Sequence, residues 1–300
     1  MIKAPFTEVQ VKVLNTYQKL DYVHPYTCGG ENCERQKRDD QGKLIATTDG
    51  WICPCGKYEQ KWAHDVIIHK QKIVFVADIA DDIDDTIAIE YLAIIGILEC
   101  VVLDGKSRDT IREAELEKLG VVFKTEIPIG TKIIFCGGSL TKVNEFIKEN
   151  KLDLLVANGG FAGTNIVKAE NILHKFRNKE KIRTYNFNLD IDSALSVLSS
   201  QNVNEIILVS KNVCHSELNC IGKLHKDLFL FKYKLDSGKR LHDLLMVKEG
   251  VNFISGNNTI CNYEQIQPVC EKRLPDNMSI WGSELSNTSN IFISVSLQTK

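Results

Sequence analysis

Five aspartates lie within eight residues, directly after the apolar run 73–77 (IVFVA). They are Asp78, Asp81, Asp82, Asp84 and Asp85. Carboxylates this close repel one another, and the repulsion is relieved when they face water or when a cation binds between them. Because α/β proteins place their chemistry in loops at strand ends, the cluster favours a cation site with oxygen ligands over a solvated turn.

A second candidate metal site consists of four cysteines near the N-terminus. They are Cys28, Cys33, Cys53 and Cys55, spaced as C-x4-C, a 19-residue spacer, and C-x-C. Thiolates are soft ligands, and two close pairs separated by a hairpin-length spacer are typical of a tetrahedral zinc ribbon. An Asp49-Gly50 turn signal lies between two apolar stretches of the spacer and predicts a β-hairpin there. The sequence therefore predicts structural Zn²⁺, with unrelated buried or redox-active thiols as the alternative.

Composition narrows the classes of protein that are compatible with the chain. The 300 residues are 43% hydrophobic and carry a net charge of −2, which is enough for a core and gives no general affinity for polyanions. No apolar stretch reaches the roughly 18 residues of a membrane span, and the first 20 residues lack the apolar block of a signal peptide. The six remaining cysteines are scattered, so we predict a reducing, cytoplasmic location.

The sequence predicts two modules, which meet near residue 70. Residues 1–70 contain the cysteines, with a zinc ribbon at about 22–66. In residues 71–300, buried strand-like runs alternate with amphipathic segments of helical length. This alternation predicts an α/β fold with a mostly parallel, Rossmann-like sheet flanked by helices. Ligands of such sheets bind beyond the carboxyl ends of the strands, where this chain places its aspartates.

Six motifs, in order over roughly residues 73–247, resemble those of the nucleoside hydrolases. These calcium-dependent enzymes cleave ribonucleosides to base and ribose. The six motifs are Asp78–Asp85, Cys136–Thr141, Asn158–Phe161, Asn186–Asn188, Cys214-His215 and Leu241–Asp243. The resemblance implies the nucleoside hydrolase fold and a hydrolase that splits the N-glycosidic bond with a calcium-bound water.

The resemblance also implies roles for individual residues. It makes Asp85, Asp243 and the carbonyl of Cys136 ligands of Ca²⁺. It makes Asp84, Asn158, Asn186 and Asn188 contacts of the ribosyl substrate. It makes His242 the residue that protonates or orients the leaving base.

One departure from the family pattern concerns the general base. Ala80 stands where the family has a metal-binding aspartate that is also the proposed base. Asp78, Asp81 or Asp82 is then the candidate to deprotonate the water. Asn186 replaces a family glutamate near the 5′ position, which removes one charge that would repel a phosphate.

Three functions therefore stay open from the sequence. The first is a cytoplasmic nucleoside hydrolase that acts on a small-molecule nucleoside. The second is an N-glycosidase on a nucleotide, modified nucleoside or dinucleotide. The third is a catalytically weakened protein of the same fold that binds a ligand or nucleic acid, the latter through its ribbon. A homo-oligomer is compatible with each of them.

Overall fold

The computed structural model describes residues 2–6, 10–11, 14–15, 18, 25–31, 33–37, 42–63, 72–79, 83–104, 109–216, 218–219, 239–255, 257–272 and 278–298. The chain divides into two compact units. One comprises Met1–Gln71 and Tyr91–Ile97, and the other comprises Lys72–Glu90 and Leu98–Lys300. No helix in the ranges given is long and apolar enough to cross a membrane.

The first unit contains short antiparallel strands. They are β1 (Ile2–Lys3), β2 (Ile45–Thr47), β3 (Gly50–Ile52), β4 (Glu59–Gln60) and β5 (Trp62–Ala63). β2, β3 and β4 form one sheet, and β1 pairs with β5. The predicted hairpin is confirmed, because Thr47 pairs with Gly50 across the turn and Gly50 has a positive φ of 126° that favours glycine. Trp51 is fully buried and its ring stacks on Tyr26 at 4.7 Å between centroids.

The second unit is built on one ten-stranded sheet. Its strands are β6 (Ile73–Ala77), β7 (Leu98–Leu103), β8 (Phe123–Lys124), β9 (Ile133–Cys136), β10 (Leu152–Asn158), β11 (Lys181–Ile182), β12 (Val203–Val209), β13 (Cys261–Lys272), β14 (Ser279–Leu285) and β15 (Ile291–Leu297). The order across the sheet is β11-β14-β13-β15-β12-β10-β9-β6-β7-β8. Neighbours from β15 to β8 are parallel, whereas β13, β14 and β11 pair antiparallel. The predicted α/β class with a mostly parallel sheet is confirmed.

Seven α-helices lie wholly within the described residues. They are α1 (Asp84–Ile94), α2 (Thr110–Glu117), α3 (Thr141–Ile147), α4 (Tyr185–Leu189), α5 (Ile191–Leu198), α6 (Lys211–Cys214) and α7 (His242–Ile254). Short 3-10 helices occupy Glu34–Lys37, Ala169–Asn171 and His174–Phe176. In α7, Gly250 faces the ring of Phe135 on β9 so closely that a Cβ atom would clash with it. This close approach fixes the helix against the sheet.

The strand order creates a natural place for a ligand. Counted along the chain, the central strands β7, β6, β9, β10 and β12 are arranged 2-1-3-4-5. The direction of winding reverses between β6 and β9, so their following loops diverge and leave a crevice at the carboxyl edge. Asp78 follows β6 and Gly137 follows β9, which places both at this switch point.

Candidate functional site

A cavity of ≈ 420 Å³ lies at the carboxyl ends of the parallel strands in the second unit. It is lined by Asp78, Asp84, Asp85, Gly137, Asn158, Gly159, Gly160, Thr184, Tyr185, Asn186, Lys211, Cys214, His215, His242 and Asp243. The structure therefore brings together residues from all six motifs that carried the resemblance. Cavities of this kind, with a few convergent polar groups, are where α/β proteins bind small molecules.

Two carboxylates converge on the Cα atom of Gly137. A Cβ atom built on Gly137 would lie 2.8 Å from Oδ1 of Asp85 and 2.9 Å from Oδ1 of Asp243. Both distances are too short for a real Cβ atom, so a side chain at this position would occupy the space between the carboxylates. Oδ1 of Asp85 is buried and has no hydrogen-bond donor among the described residues.

Asp85 is a buried carboxyl with two further carboxylates near it. Burial, followed by the charges of Asp243 and Asp78, raises the pKa of Asp85 well above its usual range. A buried carboxylate beside two others is disfavoured as an anion unless a positive charge compensates it. The arrangement therefore holds a proton on Asp85, or a cation in its place.

Asp84 holds the beginning of α7. Its Oδ2 accepts hydrogen bonds from the backbone N–H groups of His242 (2.6 Å) and Asp243 (3.1 Å). The first N–H groups of a helix have no partner within the helix, and a carboxylate satisfies them and complements the helix dipole. Asp84, predicted to contact ribose, lines the cavity and also positions the two α7 residues that line it.

Asn158 links two other cavity residues. Its Nδ2 donates to Oδ1 of Asp243 (2.9 Å), and its Oδ1 accepts from the Sγ of Cys214 (3.5 Å). Burial, with the charges of Asp243 and Asp84, raises the pKa of Cys214 well above its usual range, so Cys214 is a thiol and donates. The amide is thereby oriented with its donor side towards the carboxylate.

Asn186 ties together the ends of two strands. Its Nδ2 donates to the carbonyl oxygens of Gly137 (2.6 Å) and Asn158 (2.9 Å), which follow β9 and end β10. A side chain at Gly159 would meet the ring of Phe187 at 2.5 Å, so the glycine lets α4 approach the strand end. Asn186, predicted as a substrate contact, thus lines the cavity while one of its two polar groups fixes the cavity wall.

The structure places Asn188 outside the cavity lining. Its amide donates to the carbonyl of Ser279 (2.9 Å), and its Oδ1 accepts from the N–H of Ser279 (2.9 Å) and from Nε1 of Trp281 (3.4 Å). These bonds join α4 to β14. Asn188, predicted as a ribose contact, therefore bonds to β14 and is not among the residues that line the cavity.

Two histidines pack against each other on the cavity wall. The rings of His215 and His242 meet edge to face with centroids 5.0 Å apart, and His215 packs in the same way on Phe176 at 5.9 Å. Burial, then the charges of His242 and Lys175, lower the pKa of His215 to about 3. His215 is therefore neutral at physiological pH, and the predicted acid His242 has an aromatic neighbour that orients its ring.

The other residues that the sequence assigned to the catalytic site differ in where the structure places them. Asp78 lines the cavity and its charge acts on Asp85. Cys136 ends β9 and is fully buried, with its Sγ donating to the carbonyl of Ser139 (3.1 Å). Ala80, Asp81 and Asp82 lie outside the residues that the structure describes.

The four predicted cysteines meet in the first unit. Their Sγ atoms all lie within 4.8 Å of one another, with 3.8 Å between Cys28 and Cys55 and 3.9 Å between Cys33 and Cys53. A tetrahedral site with metal–sulfur bonds of about 2.3 Å has sulfur–sulfur edges of about 3.8 Å. The quartet can therefore hold a metal such as zinc, and it is the one group of three or more candidate ligands this compact within the described ranges.

The protonation of the quartet varies with exposure. Burial raises the pKa of Cys28 to about 12, and burial also raises the pKa of Cys53. A hydrogen bond from the N–H of Lys57 lowers the pKa of the more exposed Cys55 to about 7. Since a metal binds thiolates, a divalent cation would supply the positive charge that the buried sulfurs lack.

Several cavity residues were not predicted from the sequence. Thr184, Tyr185 and Lys211 line the cavity, although no motif pointed to them. Lys211 begins the helix after β12, and this position at a strand end was the one available signal. Neither protein-family models nor curated proteins yield a match to this chain.

Proposed function

We propose that this protein hydrolyses the N-glycosidic bond of a ribosyl compound, releasing the base. The observation that carries the proposal is the cavity at the switch point, where Asp78, Asp84, Asp85 and Asp243 meet His242. These residues come from two distant segments of the chain, and the fold brings them to one carboxyl edge. The proposal includes the nucleoside hydrolase-like form of the α/β fold.

The charge of the cavity suits this reaction. Departure of the base leaves positive charge on the sugar, because the transition state resembles an oxocarbenium ion. Preorganised negative groups stabilise such a charge without having to reorganise. His242 is positioned by the bond from its N–H to Asp84 and is the group proposed to donate a proton to the leaving base.

A hard cation fits between Asp85 and Asp243. Both offer carboxylate oxygens at the Cα of Gly137, and Oδ1 of Asp85 has no donor among the described residues. Carboxylate oxygens are the ligands that Ca²⁺ prefers, and the carbonyl of Cys136 is the proposed backbone ligand. A bound Ca²⁺ would lower the pKa of a water and provide the nucleophile. Asp78 is the described carboxylate proposed to take the proton.

We further propose that the cysteine quartet is a structural zinc site of ribbon type. The sulfur–sulfur distances of 3.8 and 3.9 Å support it, as does the burial of Cys28, Cys33 and Cys53. The nine cysteines that the structure describes are all free thiols, which supports the proposal of a reducing, cytoplasmic location.

A substrate panel tests the proposed reaction. The full chain is incubated with ribonucleosides and their monophosphates, with CaCl₂ or with EDTA, and free base and reducing sugar are measured. We expect calcium-dependent release of base from at least one substrate, reduced about a hundredfold or more in Asp243→Asn. Asp153→Asn, a change at an exposed residue of β10, is the matched control. Absence of base release from every substrate would contradict the proposal.

A further inference from the structure

Three basic side chains lie near His215, a residue that lines the cavity, and their charges act on it. Lys211 lines the cavity, and its carbonyl accepts the N–H of His215 (3.1 Å). Nε of Arg240 donates to the carbonyl of Ser216 (3.3 Å), next to His215. Nζ of Lys175 lies 4.9 Å from the ring centroid of Phe176, which packs on His215. The fold thus gathers three cations from distant positions of the chain.

The three cations have no carboxylate partner among the residues that the structure describes. Within the described ranges, no ion pair involves Lys175, Lys211 or Arg240. The charges of Arg240 and Lys211 act on Lys175 and, after burial, contribute to its lowered pKa. Like charges held this close disfavour one another, and an anion bound among them would relieve the repulsion.

Thr184 provides an independent sign of a ligand. The residue is 2% exposed and lines the cavity, and its hydroxyl has no hydrogen-bond partner among the described residues. A buried hydroxyl without a partner is unfavourable, so such a group points to a ligand oxygen. Thr184 follows Arg183, whose carbonyl accepts a hydrogen bond from Nζ of Lys211 (3.0 Å). An ammonium has three N–H donors, and this bond uses one of them.

We propose that Thr184 and Lys211, with Lys175 and Arg240, bind the phosphate of a phosphorylated ribosyl substrate, such as a nucleoside monophosphate. The inference rests on the proposed function for the ribosyl part, which the carboxylates would hold. The carboxylates would bind the sugar and its developing positive charge, and Lys211, which lines the cavity, would bind the dianion with Lys175 and Arg240 nearby. Charge-assisted bonds from Lys211 and the hydroxyl of Thr184 would fix the phosphate.

Binding of sugars tests the inference without requiring turnover. Calorimetry compares ribose 5-phosphate with ribose on the full-length protein and on Lys211→Met and Thr184→Val. Lys151→Met, a change at an exposed residue, is the control. We expect the wild type and the control to prefer the phosphate by about tenfold or more, and Lys211→Met to lose most of this preference. Thr184→Val keeps the shape of the side chain and should lose part of it. Equal affinity of the wild type for both sugars would overturn the inference, as would an unchanged preference in Lys211→Met.

A parallel assay of base release separates the two claims. If ribose 5-phosphate is preferred but no nucleoside or nucleotide is cleaved, the phosphate site stands and the proposed hydrolysis fails. If a nucleoside is cleaved and the phosphate gives no preference in binding or rate, the hydrolysis stands and the phosphate site is wrong.

Discussion

The cysteine quartet and the carboxylate cavity are two candidate metal sites of opposite design. The quartet has four soft ligands at nearly equal distances, three of them buried, on short strands and turns. The cavity has hard candidate ligands in the first turns of the helices α1 and α7, and it has room for a molecule. The first arrangement leaves no open coordination position, whereas the second leaves space beside the ligands.

This difference indicates that a bound ion would have a different role in each site. A closed tetrahedral site contributes to folding, because its ligands come together only in the folded chain. The carboxylates of the cavity are already held by other bonds, since Asp84 caps α7 and Asn158 orients Asp243. The cavity is therefore preorganised without an ion, as a site for chemistry requires.

The largest expected effect is at the quartet. Cys33→Ser should abolish zinc binding and unfold the first unit, because a structural zinc contributes roughly 10–16 kcal/mol in small zinc domains. Zinc content by mass spectrometry and thermal unfolding measure this. Cys270→Ser, at a half-buried cysteine outside the quartet, should keep its zinc. A purified wild type that contains no zinc and is insensitive to chelators would show that the quartet is not a metal site.

A smaller effect is expected where a side chain enters the cavity. Gly137→Ala places a Cβ atom between Asp85 and Asp243 and should weaken calcium binding about a hundredfold, since errors of about 1 Å in site geometry are this costly. Gly138→Ala is the matched control, because its Cβ atom would meet nothing closer than 3.6 Å. Calorimetry with CaCl₂ measures both. Similar affinities of the two variants would mean that the cation does not bind at Gly137.

A substitution of Asn188 tests whether this residue has a structural role or contacts the substrate. Asn188→Ala should lower the free energy of unfolding by about 1–3 kcal/mol, because it leaves the buried Ser279 backbone and Trp281 indole without their partner. The KM of any substrate should change little. Asn204→Ala, at an exposed position, should change the stability by less than about 0.5 kcal/mol. A raised KM with unchanged stability would restore Asn188 as a substrate contact.

The smallest effect concerns pH. The pKa of Asp85 is higher in the folded chain than in the unfolded chain, so the folded chain retains a proton that the unfolded chain loses. Stability without calcium should therefore fall as the pH rises above the unfolded value of about 3.9, by at most about 1.4 kcal/mol per pH unit. Asp85→Asn should make this fall shallower by the share of one carboxyl group, and Asp153→Asn should keep it. Urea unfolding in EDTA across the pH range measures the slope, and equal slopes in all three proteins would refute the assignment.

The sequence predicted the strands that are buried on both faces and the hairpin at Asp49-Gly50. It did not predict β13 or β14, and in β13 Pro268 argues against a strand. In the structure, residues 261–265 pair with β15 and residues 266–272 with β14, so Pro268 is paired on one side only. A proline is tolerated more readily at such a position, where one edge of the strand has no partner, than in a strand paired on both sides.

Part of the site was predictable, namely the part whose residues are close together in the sequence. The carboxylates were visible because Asp78, Asp84 and Asp85 are close in sequence. The three cations near His215 were not visible, because Lys175, Lys211 and Arg240 come from three separate segments that only the fold brings together. The structural bonds of Asn188 were also hidden, since they depend on the unpredicted strand β14.

The rate of base release by three proteins tests the central claim most directly. The wild type, Gly137→Ala and Gly138→Ala are assayed with a ribonucleoside and its monophosphate while calcium is titrated. The account predicts calcium-dependent release by the wild type and Gly138→Ala, and a rate about a hundredfold lower for Gly137→Ala. No release by the wild type, or equal rates for all three proteins, would contradict it.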